Sequence, residues 1–332
     1  MNSKYFICLI LLLNIELLAQ YRFSGFASVG YSYVAMNNEI DYTQQTSFAA
    51  KLLFEYNLNN HIDTRIDLRA SSRDLTVQIR EVSINLDYFQ HLKFQFGNIK
   101  KPFGAENIEN IENLSTIGRS YLTQKLNRIG YGDRAIGIQA YYKYSKADPD
   151  FPYSYYLFVF RDDGEESGFT ARLTRVVDNL SITGNYFLLK TPGQYPITTH
   201  AAMLASSLDF SDLSFDGELL LAQDPNEGIK RIKKNENQEV YIIGAKISSS
   251  FLLPTSGEII QAIQPIVLIS YYQPDSSVWD DYTIQFLTGA NFILDEKFKL
   301  RVNTDLLVSK NPVTKKYKGH DARLTLNLQV KF

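Results

Sequence analysis

From residue 21 to its end the chain alternates apolar and polar side chains at every second position, in segment after segment, and no other feature constrains its fold as tightly. A period of two belongs to extended strands, whose successive side chains point to opposite faces. In the last segment Ala322, Leu324, Leu326, Leu328, Val330 and Phe332 share one face, and Arg323, Thr325, Asn327, Gln329 and Lys331 share the other. Ile62, Thr64, Ile66 and Leu68 alternate in the same way with Asp63, Arg65, Asp67 and Arg69. A soluble sandwich would turn the apolar face inward, whereas a membrane barrel would turn it to lipid and leave the charges in an aqueous lumen. Periodicity alone does not choose between them.

The alternation divides the chain into sixteen segments: 21–34, 47–58, 62–70, 75–88, 92–97, 135–144, 153–161, 168–176, 180–189, 200–208, 213–222, 239–251, 261–272, 282–294, 298–308 and 322–332. An even count lets an antiparallel sheet close. Two segments, 153–161 and 200–208, are apolar on both faces and take no direction from sequence. The connections are a second, independent signal. Even-numbered junctions are mostly tight (57–61, 89–91, 177–179, 210–212, 295–296) and odd-numbered ones mostly long (35–46, 98–134, 190–199, 223–238, 273–281, 309–321). The short odd junction at 71–74 and the long even one at 145–152 break the rule. Long loops on one end and short turns on the other are the mark of outer-membrane barrels, while Greek-key sandwiches follow no such parity. The expected fold is therefore all-β: a transmembrane antiparallel β-barrel of about sixteen strands, with two secreted β-sandwiches as the alternative.

The N-terminus fits an exported protein. MNSKYFICLILLLNIELLAQ carries Lys4, an apolar run from Phe6 to Leu13, and Leu18-Ala19 before Gln20. This pattern predicts a signal peptide over 1–19, cleaved near Ala19, and one barrel domain over 20–332. Glu16 interrupts the pattern, and an uncleaved N-terminal helix is the alternative. The single cysteine, Cys8, falls in this segment, so no disulfide or thiolate metal site is expected beyond it. No later stretch approaches the roughly 18 apolar residues of a spanning helix, so any membrane crossing must be made by strands. Tyr (22) and Phe (21) far outnumber Trp (1), and such rings suit an interface belt. A net charge of −2 gives no footing for nucleic acid.

The longest connection, 98–134, is the third odd one. Pro102 ends the preceding strand, and Ile108, Ile111, Leu114 and Ile117 recur at helical spacing with Glu106, Glu109 and Glu112 on another side. This predicts a short helix packing its isoleucines on the wall and showing its carboxylates to water. Around it lie FGNIKKPFG, with Gly97, Lys100, Pro102 and Phe103; TIGRS, with Arg119 and Ser120; and GDRAIGIQA, with Asp133, Arg134 and Ile136 to Gln139. In these motifs, and in weaker matches at 156–160, 263–266 and 287–303, the chain resembles the phosphate-selective porin O and P family. The resemblance implies a trimeric outer-membrane porin whose third loop folds into the lumen as a constriction, with basic residues lining the ion path. Those residues are expected to be Lys100, Lys101, Arg119, Arg128 and Arg134, with Arg65, Arg69 and Arg301 on strand faces, because guanidinium and ammonium groups replace part of an anion's hydration. Each has a plainer reading: Lys100 and Lys101 as solvated loop charges, Arg119 as a pin for the loop, Arg134 as the start of a strand.

The expected function is passive diffusion of small hydrophilic solutes, favouring anions such as phosphate. Gly118 stands where that family has an acidic residue, and the inward faces mix Arg22, Lys51, Arg172, Lys299, Arg323 and Lys331 with Glu55, Asp63, Asp67, Glu81, Asp216, Glu218 and Asp305, which favours general diffusion over strong anion choice. The expected partners are small anions or other small solutes, outer-membrane lipid and lipopolysaccharide, barrel-assembly machinery reading the terminal Phe332, and two further copies of the chain. A plugged barrel serving adhesion is the alternative, followed by an outer-membrane hydrolase. His61, His91, His200 and His320 are isolated in sequence, and neither His-Glu-x-x-His nor Gly-x-Ser-x-Gly occurs. No cofactor or metal is expected. Asp275, Asp280 and Asp281 near Trp279 read as solvated loop charge before they read as ligands for divalent ions bridging lipopolysaccharide.

Overall fold

The structure, a computed structural model, describes residues 21–35, 42–72, 76–161, 166–234, 236, 239–310 and 317–332; the expected signal peptide lies outside them. One antiparallel sheet holds β1 (Tyr21–Ala35), β2 (Tyr42–Asn59), β3 (Ile62–Ser71), β4 (Val77–Phe89), β5 (Leu92–Lys100), β6 (Arg134–Tyr142), β7 (Tyr153–Arg161), β8 (Ser167–Val177) and β9 (Leu180–Thr191). It continues through β10 (Ile197–Asp209), β11 (Leu213–Gln223), β12 (Tyr241–Phe251), the two-residue β13 (Leu253–Pro254), β14 (Ala262–Gln273), β15 (Tyr282–Ile293), β16 (Phe298–Lys310) and β17 (Tyr317–Lys331). Three helices interrupt it: α1 (Ala105–Ile108), α2 (Tyr121–Arg128) and α3 (Pro225–Lys233).

The sheet closes on itself. β1 pairs with β17 as well as with β2, in a register that sets Phe26 opposite Lys331 and Tyr33 opposite Leu324. The Phe332 N–H donates to Gly25 O at 3.1 Å, and the Gly25 N–H donates to Phe332 O at 3.0 Å, carrying the ladder to the last residue. A Cβ at Gly25 would come within 2.9 Å of the Phe332 ring, so the glycine makes room for that aromatic. Closure leaves no row of unpaired N–H and C=O groups, the condition for crossing a bilayer with strands.

Sixteen long strands thus form the barrel, with β13 a short addition that also pairs with β14. The sequence boundaries hold to within a few residues. Neither β13 nor α3 is expected from the alternation; α3 forms where Asp224 caps the N–H groups of Asn226 and Glu227 and Pro225 occupies the first turn.

Burial is inverted relative to a soluble protein. Leu324, Leu326 and Leu328 are 43, 43 and 46% exposed, while Asn327 and Gln329 between them are 6 and 0% exposed. The same holds around the wall: Phe23, Val29, Ile84, Ile138, Val159, Leu219 and Ile247 face out, and Lys51, Asp67, Glu81, Glu218, Lys246 and Arg301 are buried. Such a surface is stable only against hydrocarbon, which answers the question that periodicity left open.

The two segments without a readable direction also resolve. In β7, Tyr156, Phe158 and Phe160 face in while Leu157 and Val159 face out; in β10, Ala201 and Met203 face in while Leu204 faces out. Their inward faces are apolar because they hold part of the 101–133 connection.

That connection departs from the expected helix. Residues 109–120 are irregular, helix being confined to α1 before them and α2 after. Glu106 and Glu112 do not point to water, since both are largely buried against wall lysines, whereas Ile108, Ile111, Leu114 and Ile117 are only partly covered. The physical reason lies in the wall, whose surface under residues 105–120 is charged and selects the carboxylates.

Candidate functional site

The connection between β5 and β6 joins the inward faces of strands on several sides. Lys51 of β2 donates to Glu112 Oε1 at 2.7 Å. Lys246 of β12 sits between Glu106 Oε1 at 3.2 Å and Glu218 Oε1 of β11 at 3.0 Å, and Glu218 also accepts from the Ala105 N–H. Further along, Arg301 of β16 donates to Thr116 O, Asn291 of β15 to Ser115 O, and Gln329 of β17 to Glu112 O. The irregular backbone therefore finds its partners on the wall, as buried carbonyls must.

Ser120 organises the next step. Its hydroxyl accepts from the Thr123 N–H as the N-cap of α2 and donates to Glu106 Oε2 at 2.8 Å, and its own N–H donates to the same oxygen. Lys125 and Arg128 lie in the last turn, and Gly130 follows with φ +96°, the left-handed conformation that ends many helices. Leu122 and Leu126 of α2, with Phe103 and Tyr131, then pack on Phe158, Phe160, Phe187, Leu189, Met203 and Ile242. The Phe187 ring meets Phe103 and Tyr131 edge-on at 5.4 and 5.1 Å. The Tyr131 hydroxyl donates to Gln223 O at 2.7 Å, so this apolar clamp leaves no polar atom of that ring unsatisfied.

The Glu106 carboxyl is pushed up by burial and pulled down more strongly by Lys246, Ser120 and Thr123, so it titrates below the usual carboxylate range. Glu112 is likewise raised by burial and lowered further by Lys51, with the same net direction.

The eight basic residues singled out in the sequence fall into four groups. Lys100, Arg119 and Arg301 donate to neutral oxygens: Lys100 to Ile108 O (2.9 Å) and Asn110 Oδ1 (2.7 Å), Arg119 to Glu106 O (3.1 Å) and Glu109 O (3.2 Å), and Arg301 to Thr116 O (3.2 Å) and Asn327 Oδ1 (3.0 Å). Lys101 is buried, donating to Gly130 O and lying 4.8 Å from the Phe160 ring centre. Arg65, Arg69 and Arg134 form a charged row with Asp67 and Glu81, at distances of 3.3–3.6 Å. Arg128 is exposed at the end of α2.

No protein-family model and no curated protein matches the sequence. Solved structures do. The chain is similar to the anion-selective porin from Comamonas acidovorans (TM-score 0.70, 12% identity, covering 94% of this chain and 99% of that one). It is also similar to OprB of Pseudomonas putida (0.66, 11%, 96% and 96%) and to Salmonella typhi OmpF in complex with daunomycin (0.63, 11%, 94% and 97%). The chain has the fold of an outer-membrane porin.

Within this porin barrel, a cavity of about 160 Å³ lies between the strands that follow β2 and the start of the β5–β6 connection. Arg65, Glu81, Lys100 and Lys143 supply its charges, and Gln95, Gln139, Tyr141 and Tyr156 much of the rest. Of these, Gln95, Gln139, Tyr141, Lys143 and Tyr156 were not expected from sequence to line the path. The signal was present: Gln139, Tyr141 and Lys143 share the inward parity of β6 with Ala135. Lys246, the residue that fastens Glu106, sits two positions beyond Gly244 on the inward face of β12 and is equally readable by parity.

Three histidines acquire partners that their sequence positions hide: His61 Nδ1 lies 2.7 Å from Asp87 O, and His200 Nδ1 2.7 Å from the Tyr186 hydroxyl. His91 Nε2 lies 2.6 Å from Asp148 Oδ2, with the Tyr142 and Phe151 rings around it. Asp275 and Asp280 pair with Arg231 and Lys310, and no cluster of three or more metal-ligating side chains occurs among the described residues.

Proposed function

We propose that the protein is an outer-membrane channel for passive diffusion of small hydrophilic solutes, with a preference for anions. The observation that carries this reading is the inverted burial of a closed sixteen-strand barrel, which sets a wet, charged interior inside an apolar girdle. Residues 101–133 are the constriction: they are fastened to β2, β11, β12, β15, β16 and β17 at a level where the lumen also carries its charged row.

The anion preference rests on how the cations are compensated. Lys51, Lys246, Arg69 and Arg134 face carboxylates, but the partners of Arg119 and Arg301 are carbonyl and amide oxygens, which leave those charges in place. An uncompensated cation beside a narrow aqueous path lowers the barrier for anions and raises it for cations. The likeness to the anion-selective porin from Comamonas acidovorans agrees with this. The trimer implied by the family resemblance is part of the same proposal, as is reading of Phe332 by the assembly machinery.

Planar-bilayer recording in asymmetric potassium chloride tests the reading. The expected result is a stable ohmic conductance with a reversal potential on the anion side, shifting toward zero in Arg119→Ala/Arg301→Ala. A cation-side potential that this pair of substitutions leaves unmoved sinks the anion preference, and absence of conductance favours a plugged barrel. Competition by phosphate in the same recordings tests the narrower phosphate reading.

A further inference from the structure

Resting on the channel reading, we infer that the cavity between β3–β7 and the β5–β6 connection is a binding site for hydroxylated monocarboxylates, the chemical class of sugar acids. The inference starts from two amides that each hold a neighbour through the N–H end and leave the oxygen without a donor. Gln139 donates through Nε2 to Gln95 Oε1 at 3.1 Å, and Gln95 donates in turn to Ser83 Oγ at 3.0 Å. Asn85 donates through Nδ2 to Asp63. Both residues line the cavity, and their buried oxygens, Gln139 Oε1 and Asn85 Oδ1, have no partner among the described residues; Gln139 is only 5% exposed. A buried oxygen without a donor costs free energy, and a solute hydroxyl reached by a small turn of either amide recovers it.

Charge sets the other half of the ligand. Arg65 Nε is also without a hydrogen-bond partner among the described residues, although Glu81 lies 3.6 Å away. Lys143 is exposed on the lining, so that with Arg65 two cations stand against the one carboxylate of Glu81. The lining therefore carries excess positive charge and takes an anion. Acceptors without a donor disfavour an anion that carries no hydroxyl, such as chloride or acetate, because it has no proton to give them; hydrogen phosphate keeps a P–OH donor and is separated from a sugar acid by the test below.

Shape agrees with a carbon skeleton bearing hydroxyls. Tyr141 and Tyr156 stack with centroids 5.8 Å apart and planes within 8°, offering a flat face to the C–H side of a polyol. The cavity's 160 Å³ is room for roughly five waters, or one six-carbon solute in their place.

The test is flux and block by sodium gluconate through the purified full-length protein, in proteoliposomes and planar bilayers, with acetate, glucose and phosphate alongside. Gluconate flux is expected to saturate and gluconate to depress the chloride current, while acetate and glucose fluxes stay proportional to concentration. Gln139→Ala and Lys143→Met are each expected to raise the half-saturating gluconate concentration about tenfold or more. Gluconate flux that stays linear, or saturation unchanged in both variants, overturns the site. Saturation by phosphate in preference to gluconate overturns the ligand class. Absence of chloride current overturns the channel reading instead, and calorimetric titration of gluconate into the detergent-solubilised barrel, wild type against Gln139→Ala, then decides the site by itself.

Discussion

At the scale of single residues, the constriction depends on charges buried in pairs. Glu106 and Glu112 both titrate below the usual carboxylate range because Lys246 and Lys51 outweigh the cost of burying them. A carboxyl depressed in the folded state contributes stability that is complete above its unfolded pKa and is lost as pH falls through the folded value. Acidification from pH 7 to about 3 should therefore detach residues 105–120 from β2 and β12 while the barrel persists, through the linkage just stated. Faster amide exchange in that segment and a larger, noisier conductance are the expected readings. Lys246→Met should show the detached state already at neutral pH and lower stability by roughly 3–5 kcal/mol, the cost of stranding buried carboxylates without their cation. Exchange that is independent of pH and of this substitution would contradict the pairing.

Among the elements, α2 is held by fit as well as by charge. A Cβ added at Gly244 would stand 2.4 Å from Leu122 Cδ1, so β12 needs a glycine under that helix. Gly244→Ala is expected to destabilise the protein by about 1–3 kcal/mol through overpacking. Leu122→Ala in the same chain should recover part of the loss, a coupling that a double-mutant cycle on thermal unfolding in detergent would measure. The element scale is also where sequence reading fell short. Phe158, Phe160 and Met203 made two strands look apolar on both faces, because their partners, Phe103, Leu122 and Leu126, come from a connection far away in the chain. The isoleucine spacing at 108–117 suggested a helix for a related reason: periodicity reports what a segment could bury, and here the wall beneath it was charged.

For the whole molecule, the decisive fact is which solvent meets which face. Leu326 and Thr325 are neighbours on β17, one turned out and one turned in toward the Ser32 hydroxyl at 3.1 Å. Leu326→Arg should cost up to about 4 kcal/mol when the protein is folded into lipid vesicles. Thr325→Arg should cost under about 1 kcal/mol, in keeping with a substitution in a water-facing lining. Denaturant titration of vesicle-folded protein compares the two, and equal costs would mean that the faces had been assigned wrongly.

The alternation by itself determined the sixteen strands, their approximate limits, the closing face of Phe332 and the parity of the lining residues outside β7 and β10, because a strand's side-chain period is a local property of its backbone. Tertiary structure alone decided which lysine met which carboxylate, that the 101–133 connection would lie against a charged wall on one side and an aromatic wall on the other, and that Gln139 and Asn85 would end their hydrogen-bond chains at one cavity. Those facts depend on strands brought together across the barrel, and no spacing within a segment encodes a contact with a residue more than a hundred positions away.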